Sequence, residues 1–277
     1  MKAALLQLSS SDDPSHNIVT VRDMVRSAAA QGAQFVLTPE VTNCVSTSRT
    51  RQMDVLEKPD DDAFLKTMQE EARDLSIWLM LGSLAVKTDD PDGRFANRCY
   101  LIAPNGSIRA EYDKIHMFDV DIDANETYRE SSGYRPGTRA VVAETDFGSI
   151  GMSICYDMRF PLLYQSLARA GAEIMTVPAA FSPVTGAAHW HSLLRARAIE
   201  TGCIVIAPAQ TGAHDMQAGK PRSTYGHSLV VSPWGDVLLD AGTEPGAYLF
   251  DLDVQTVEDA RRRVPALMNA RKFENPE

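Results

Sequence analysis

Gly151-Met152-Ser153-Ile154-Cys155-Tyr156-Asp157-Met158-Arg159-Phe160-Pro161 runs an apolar strand into a cysteine, and a helical pattern opens at the proline six residues later. A strand handing over to a helix through so short a turn is the basic unit of an α/β fold. Outward from it, β-rich runs recur, about a dozen in all: 2–8, 35–40, 77–86, 98–104, 108–115, 141–147, 149–155, 173–179, 203–209, 226–233, 236–241 and 246–252. Pro104-Asn105-Gly106, Asp146-Phe147-Gly148 and Pro233-Trp234-Gly235 each separate two such runs, which makes them antiparallel hairpins. Helical patterns occupy 15–31, 61–75, 161–170 and 188–201. So many strands do not fit one simple open sheet. Two sheets packed face to face at about 10 Å, with helices on the outer faces, cover every element. No linker-like stretch interrupts the chain, so 1–277 is read as a single α/β domain, with the polar, Gly/Pro-punctuated segment 116–139 as a loop beside a site.

Composition excludes several classes of function. With 44% hydrophobic and 23% charged residues the chain is an ordinary globular one. A formal charge of −10 speaks against a nucleic-acid or anionic-membrane partner, since both select a basic face. No apolar run approaches the roughly 18 residues of a membrane span. The opening Met1-Lys2-Ala3-Ala4-Leu5-Leu6-Gln7-Leu8 is short and runs straight into Ser9-Ser10-Ser11-Asp12-Asp13, so it reads as a first core strand rather than a signal peptide. Cys44, Cys99, Cys155 and Cys203 are widely spaced with no CxxC, which fits reduced thiols in a cytoplasm.

Of the four, Cys155 alone sits at a strand-to-helix turn, where backbone N–H groups can face an oxyanion. The alternative for it, as for the other three, is a buried structural cysteine. A free thiol with a pKa near 8.5 needs a cation or a base to act as a nucleophile. Lys114 ends one β-rich run and Glu40 ends another, in Leu37-Thr38-Pro39-Glu40; taken singly, each reads more readily as a surface or rim charge. His189 and His191 lie two apart and point about 200° away from one another on a helix, so they cannot chelate as an i, i+4 pair. No metal and no cofactor is expected. A Cys–His pair, with His116 or His227 serving Cys155, is a further arrangement that the residues allow.

Taken together, Pro39-Glu40, Tyr112-Asp113-Lys114-Ile115-His116 and Cys155-Tyr156-Asp157-Met158-Arg159-Phe160-Pro161 resemble, in order and local context, the three elements of the nitrilase superfamily of carbon–nitrogen hydrolases. The likeness extends along essentially the whole chain, and Glu130 in Tyr128-Arg129-Glu130-Ser131 matches a further carboxylate of that family. It implies a four-layer αββα sandwich and a homodimer paired through the helices that follow the cysteine. It also implies an amidase working through a thioester, with catalytic residues Glu40 (base), Lys114, Cys155 (nucleophile) and Glu130. The backbone near Tyr156 would face the oxyanion, and Arg159, Phe181, Thr185 and His189 would contact substrate.

Further blocks, Pro178-Ala179-Ala180-Phe181, Thr185-Gly186-Ala187-Ala188-His189-Trp190 and Tyr225-Gly226-His227-Ser228, are similar to the deaminated glutathione amidase branch, with the omega-amidase branch next. The small-molecule amide implied is deaminated glutathione, cut to 2-oxoglutarate and Cys-Gly. The alternatives are 2-oxoglutaramate, or a non-catalytic or redox thiol protein on the same scaffold. Arg159 is the expected partner of the 2-oxoglutaryl carboxylate, and Lys220 and Arg222 of the Cys-Gly carboxylate.

Overall fold

A computed structural model describes residues 1–122 and 127–274, so part of the segment 116–139, residues 123–126, lies outside the described residues. Two six-stranded sheets form the centre. Across the first, the strands run Gly246–Asp251, Lys2–Gln7, Phe35–Leu37, Trp78–Val86, Ala96–Ile102 and Ile108–Asp113. Across the second they run Val237–Asp240, Leu229–Val231, Ile204–Ala207, Ile174–Thr176, Gly148–Met152 and Val141–Thr145. Each sheet has three parallel strands at its heart and antiparallel strands at its edges. All three turns that the sequence marks as hairpins join antiparallel neighbours.

The period-2 alternation of the strands explains the layering. In the first strand Ala3 and Leu5 face the second sheet, in one core with Ile150 and Met152. Ala4 and Leu6 face the opposite way, against Val21, Val25, Phe64 and Met68 of the helices Pro14–Ala30 and Ala63–Leu75. The second sheet is covered on its outer side by Pro161–Arg169 and Pro183–Thr201. The order helix, sheet, sheet, helix is the four-layer αββα sandwich.

Of the boundaries that differ from the sequence reading, three have a plain physical cause or consequence. The strand before Cys155 stops at Met152, because the Asp157 carboxylate takes the Ile154 N–H at 2.9 Å and turns the chain into a 3₁₀ segment, Cys155–Arg159. The run 226–233 yields a strand only at Leu229–Val231, since Gly226 and His227 sit at φ 75° and 55°. The last long helix begins at Pro183, five residues ahead of the expected 188. Gly186 is no breaker there: a Cβ on it would stand 2.3 Å from the Tyr225 ring, so its lack of a side chain is what lets the helix dock.

Candidate active site

The ends of four strands deliver the polar side chains to one place. After Phe35–Leu37, Pro39 has no N–H to continue a ladder, and the chain is laced instead onto the neighbouring strand: Ser83 N–H donates to Pro39 O at 3.2 Å, and Val41 N–H to Ser83 Oγ at 2.8 Å. This fixes Glu40. Lys114 follows Ile108–Asp113, its N–H bonded to Asn97 O at 3.0 Å. Cys155 takes a left-handed φ of 48°, rare for a residue with a side chain, and its N–H donates to Pro178 O at 2.9 Å.

These turns converge on a dense cluster. Lys114 Nζ donates to Glu40 Oε1 at 2.8 Å and to Glu130 Oε1 and Oε2 at 3.0 and 2.9 Å. Asn97 Nδ2 spans the same two carboxylates, at 2.9 Å from Glu40 and 3.3 Å from Glu130. Ala180 N–H donates to Glu40 Oε2 at 2.7 Å, and Phe118 N–H donates to Glu130 Oε2 at 2.6 Å. Glu40, Lys114 and Cys155 are 4%, 2% and 7% exposed, so the charges act on one another with little screening.

Burial pushes the Glu40 carboxyl up, but the Lys114 ammonium and its hydrogen bond outweigh burial and leave it below its ordinary value. For Lys114 burial acts downward and is outweighed by Glu130 and Glu40, which hold the ammonium well above its ordinary range. Burial and then the Glu40 charge push the Cys155 thiol well up, against the opposing pull of Lys114. Two carboxylates already face one ammonium, so a thiolate would be a third anion.

The cluster forms the floor of a cavity of about 620 Å³. Of the residues picked from the sequence, Glu40, Lys114, Glu130, Cys155, Tyr156, Phe181 and Thr185 reach its wall, together with Lys220 and Arg222. Arg159 and His189 are not brought into that wall. Arg159 bonds to His189 Nδ1 at 3.3 Å at the rim, with its guanidinium 5.4 Å from the Phe181 ring centre. Arg222 donates to Ala180 O at 3.1 Å, so a single residue, Ala180, stands between it and the Glu40 carboxylate.

His116 and His227 do not line the cavity either. His116 Nδ1 lies 2.6 Å from the fully buried Asp157, which also accepts from Tyr112 OH at 2.6 Å. Asp157 thereby ties the Lys114 strand to the Cys155 turn. Sequence reasoning missed Asn97 because the expected strand began at 98. The available signal was its position two and four residues before Cys99 and Leu101, whose side chains face inward.

A family model described as carbon-nitrogen hydrolase matches residues 2–262. The chain belongs to the carbon-nitrogen hydrolase family. Curated relatives include deaminated glutathione amidases of Yersinia enterocolitica, 37% identical over 97% of this chain and 92% of the relative, and of Mus musculus, 38% identical over 97% and 82%. Among solved structures, the Caenorhabditis elegans NitFhit protein is similar at TM-score 0.88 and 34% identity over 98% of this chain, which spans 65% of that longer one. Saccharomyces cerevisiae Nit3, of branch 10 of the nitrilase superfamily, is similar at TM-score 0.82 and 29% identity, covering 96% of this chain and 94% of the yeast chain. The carbon-nitrogen hydrolase family, with amidases among the relatives, gives the activity class: hydrolytic cleavage of an amide.

Proposed function

We propose that residues 1–277 form one carbon–nitrogen hydrolase domain, active as a cytoplasmic homodimer, that cuts deaminated glutathione into 2-oxoglutarate and Cys-Gly. The observation that carries this reading is the cluster of buried Glu40 and Lys114 with half-buried Glu130, beside Cys155 at the floor of a cavity whose wall includes Lys220 and Arg222. Named amidases among the relatives supply the substrate class.

In the first half-reaction Cys155 Sγ bonds to the scissile carbonyl carbon while its proton passes to Glu40. The carbonyl oxygen gains the negative charge. Lys114 has three N–H bonds, of which the two carboxylates need two, and the third can serve this oxygen. The Cys155 N–H is committed to Pro178 O, so the second donor is the next amide, Tyr156, at the head of the 3₁₀ turn. Each such donor stabilises the transition state by about 3–4 kcal/mol. Glu40 then passes its proton to the leaving nitrogen as the C–N bond breaks, which frees Cys-Gly and leaves a 2-oxoglutaryl thioester. Water gives Glu40 a proton as it attacks that carbonyl. Collapse of the adduct breaks the C–S bond, releases 2-oxoglutarate and restores the thiol with the proton from Glu40.

The substrate carries a carboxylate at each end, and a cation stands ready for each: Arg222 with Lys220 in the wall, and Arg159 outside the wall but beside its Phe181. A comparison of kcat/KM for deaminated glutathione and 2-oxoglutaramate tests this. The expected result is a preference for the former that Arg222→Met removes by raising its KM alone, together with no measurable turnover of either by Cys155→Ala. A better kcat/KM for 2-oxoglutaramate transfers the assignment to an omega-amidase, and turnover by Cys155→Ala ends the thioester mechanism.

A further inference from the structure

A second group of ligating side chains lies away from the cavity, and three separate elements build it. His191 belongs to the helix Pro183–Thr201, His227 to the turn ahead of Leu229–Val231, and Asp240 ends Val237–Asp240. His191 Nε2 is 2.9 Å from Asp240 Oδ2; His227 Nδ1 is 2.9 Å from Oδ1 and 3.2 Å from Oδ2. One donor atom from each of the three lies within 4.8 Å of the others. Bonds of roughly 2.0–2.1 Å to a tetrahedral zinc ion place neighbouring donors about 3.3 Å apart, so the two His–Asp240 spacings need to widen by only a few tenths of an ångström, and the two imidazoles, within 4.8 Å of one another, turn toward the ion.

Contacts outside the triad hold these side chains in position. His227 sits at φ 55°, its ring stacks on Tyr225 with centroids 4.6 Å apart, and its carbonyl accepts from Trp190 Nε1 at 2.8 Å. Asp240 Oδ1 also accepts from Gly242 N–H at 2.9 Å. The side chains of His191, His227 and Asp240 are 36%, 26% and 33% exposed, which leaves an open side for a water ligand. Two imidazoles and one carboxylate suit zinc-like cations rather than calcium or magnesium. The spacing of His189 and His191 on one helix is no guide here, because the partners of His191 come from a different part of the chain.

We infer that His191, His227 and Asp240 form a binding site for a divalent cation of the zinc class. Binding replaces the two imidazole–carboxylate hydrogen bonds with metal bonds, and each neutral ring moves its proton to its other nitrogen. The ion would clip the helix Pro183–Thr201 to the segment 227–240. Pro183, Val184 and Thr185 at the start of that helix belong to the cavity wall, so the clip would stiffen one side of it.

Cobalt(II) substitution reads the site directly in the full-length protein. The wild type is expected to bind one Co²⁺ per chain with the intense visible bands of a four-coordinate ion and no thiolate charge-transfer band in the near-ultraviolet. His191→Gln and Asp240→Asn, on different elements, should each lose those bands and bind at least tenfold more weakly. Zinc should raise the melting temperature of the wild type and not of either variant. Titrations that superimpose for wild type and both variants, or a cobalt–thiolate band in their place, would overturn the assignment.

Discussion

At Cys155 the timing of proton loss is set by neighbouring charge. The thiol is held well above its ordinary range and Glu40 below its own, so the form that the proposed mechanism starts from, neutral thiol with ionised Glu40, spans neutral pH. The acid limb of kcat/KM should fall below the ordinary carboxylate value of about 4.3, and the alkaline limb above the ordinary thiol value of about 8.5. A rise in kcat/KM through pH 8–9, as for a thiol that must first ionise, would contradict this. By the same linkage, Glu40 stabilises the fold above the unfolded carboxylate range and loses that contribution as pH falls through its depressed folded value. Glu130 holds Lys114 and the Phe118 N–H, so Glu130→Gln should lower kcat by roughly 10²-fold with KM little changed, since a mis-aimed Lys114 is felt most once the oxyanion forms. Steady-state kinetics on the two variants of one carboxamide swap, Glu40→Gln and Glu130→Gln, should rank Glu40 as the more damaging. Glu40, Lys114, Glu130 and Cys155 were legible because each stands in a short, distinctive stretch at the end of a strand. Asn97 and the Ala180 N–H were not, because one is an ordinary strand residue by pattern and the other is a backbone group with no letter of its own.

Among the elements, the strand Trp78–Val86 governs how closely the two halves of the site approach. At Gly82 a Cβ would lie 2.0 Å from Thr38 O, 2.4 Å from Pro178 Cβ and 2.7 Å from Pro39 O. Two of those atoms belong to the turn that carries Glu40, and the third to the segment after Ile174–Thr176, where Pro178 O anchors the N–H of Cys155. Gly82→Ala must therefore push the turns apart. Overpacking of this kind costs about 1–3 kcal/mol, visible as a lower denaturation midpoint, and kcat should fall at least tenfold in the protein that remains folded. Full activity in a stable Gly82→Ala protein would show that the turns have slack. The sequence reading reached the sheets, the hairpins and the central helices, because period and turn chemistry are local. It missed the helix start at Pro183 and the short pairs Asp119–Asp121 with Thr127–Arg129 and Thr211–Ala213 with Ser223–Tyr225. Their register is set by tertiary packing, as Gly186 against Tyr225 illustrates.

For the whole molecule the open question is what covers the outer helices. Leu162 and Ile199, on the two helices that follow Cys155, are 76% and 53% exposed, and Met268 and Phe273 near the chain end are 87% and 85% exposed. Apolar groups scattered singly need no partner, but these belong to the layer that the proposed homodimer would bury. That layer also supports the catalytic turn. Arg197, nearly fully buried, donates from Nε to Met158 O at 2.8 Å, inside the 3₁₀ segment that begins at Cys155, and its NH1 holds Glu200 at 2.7 Å. Helix pairing at this face would therefore steady the cysteine as well as bury surface, and an obligate interface of this kind usually covers more than about 2,000 Å² in total. Light scattering on the wild type should give about twice the 30.4 kDa chain mass at micromolar concentration. The double substitution Leu162→Asp with Ile199→Asp should yield a folded monomer, because both side chains are more than half exposed and neither belongs to a buried core cluster, Ile199 touching the Gly235 turn at the surface. Its kcat should drop at least tenfold, with the loss following the monomer fraction as concentration is varied. A wild-type monomer with full activity would sink the dimer, and a fully active monomeric variant would uncouple the interface from the catalytic turn.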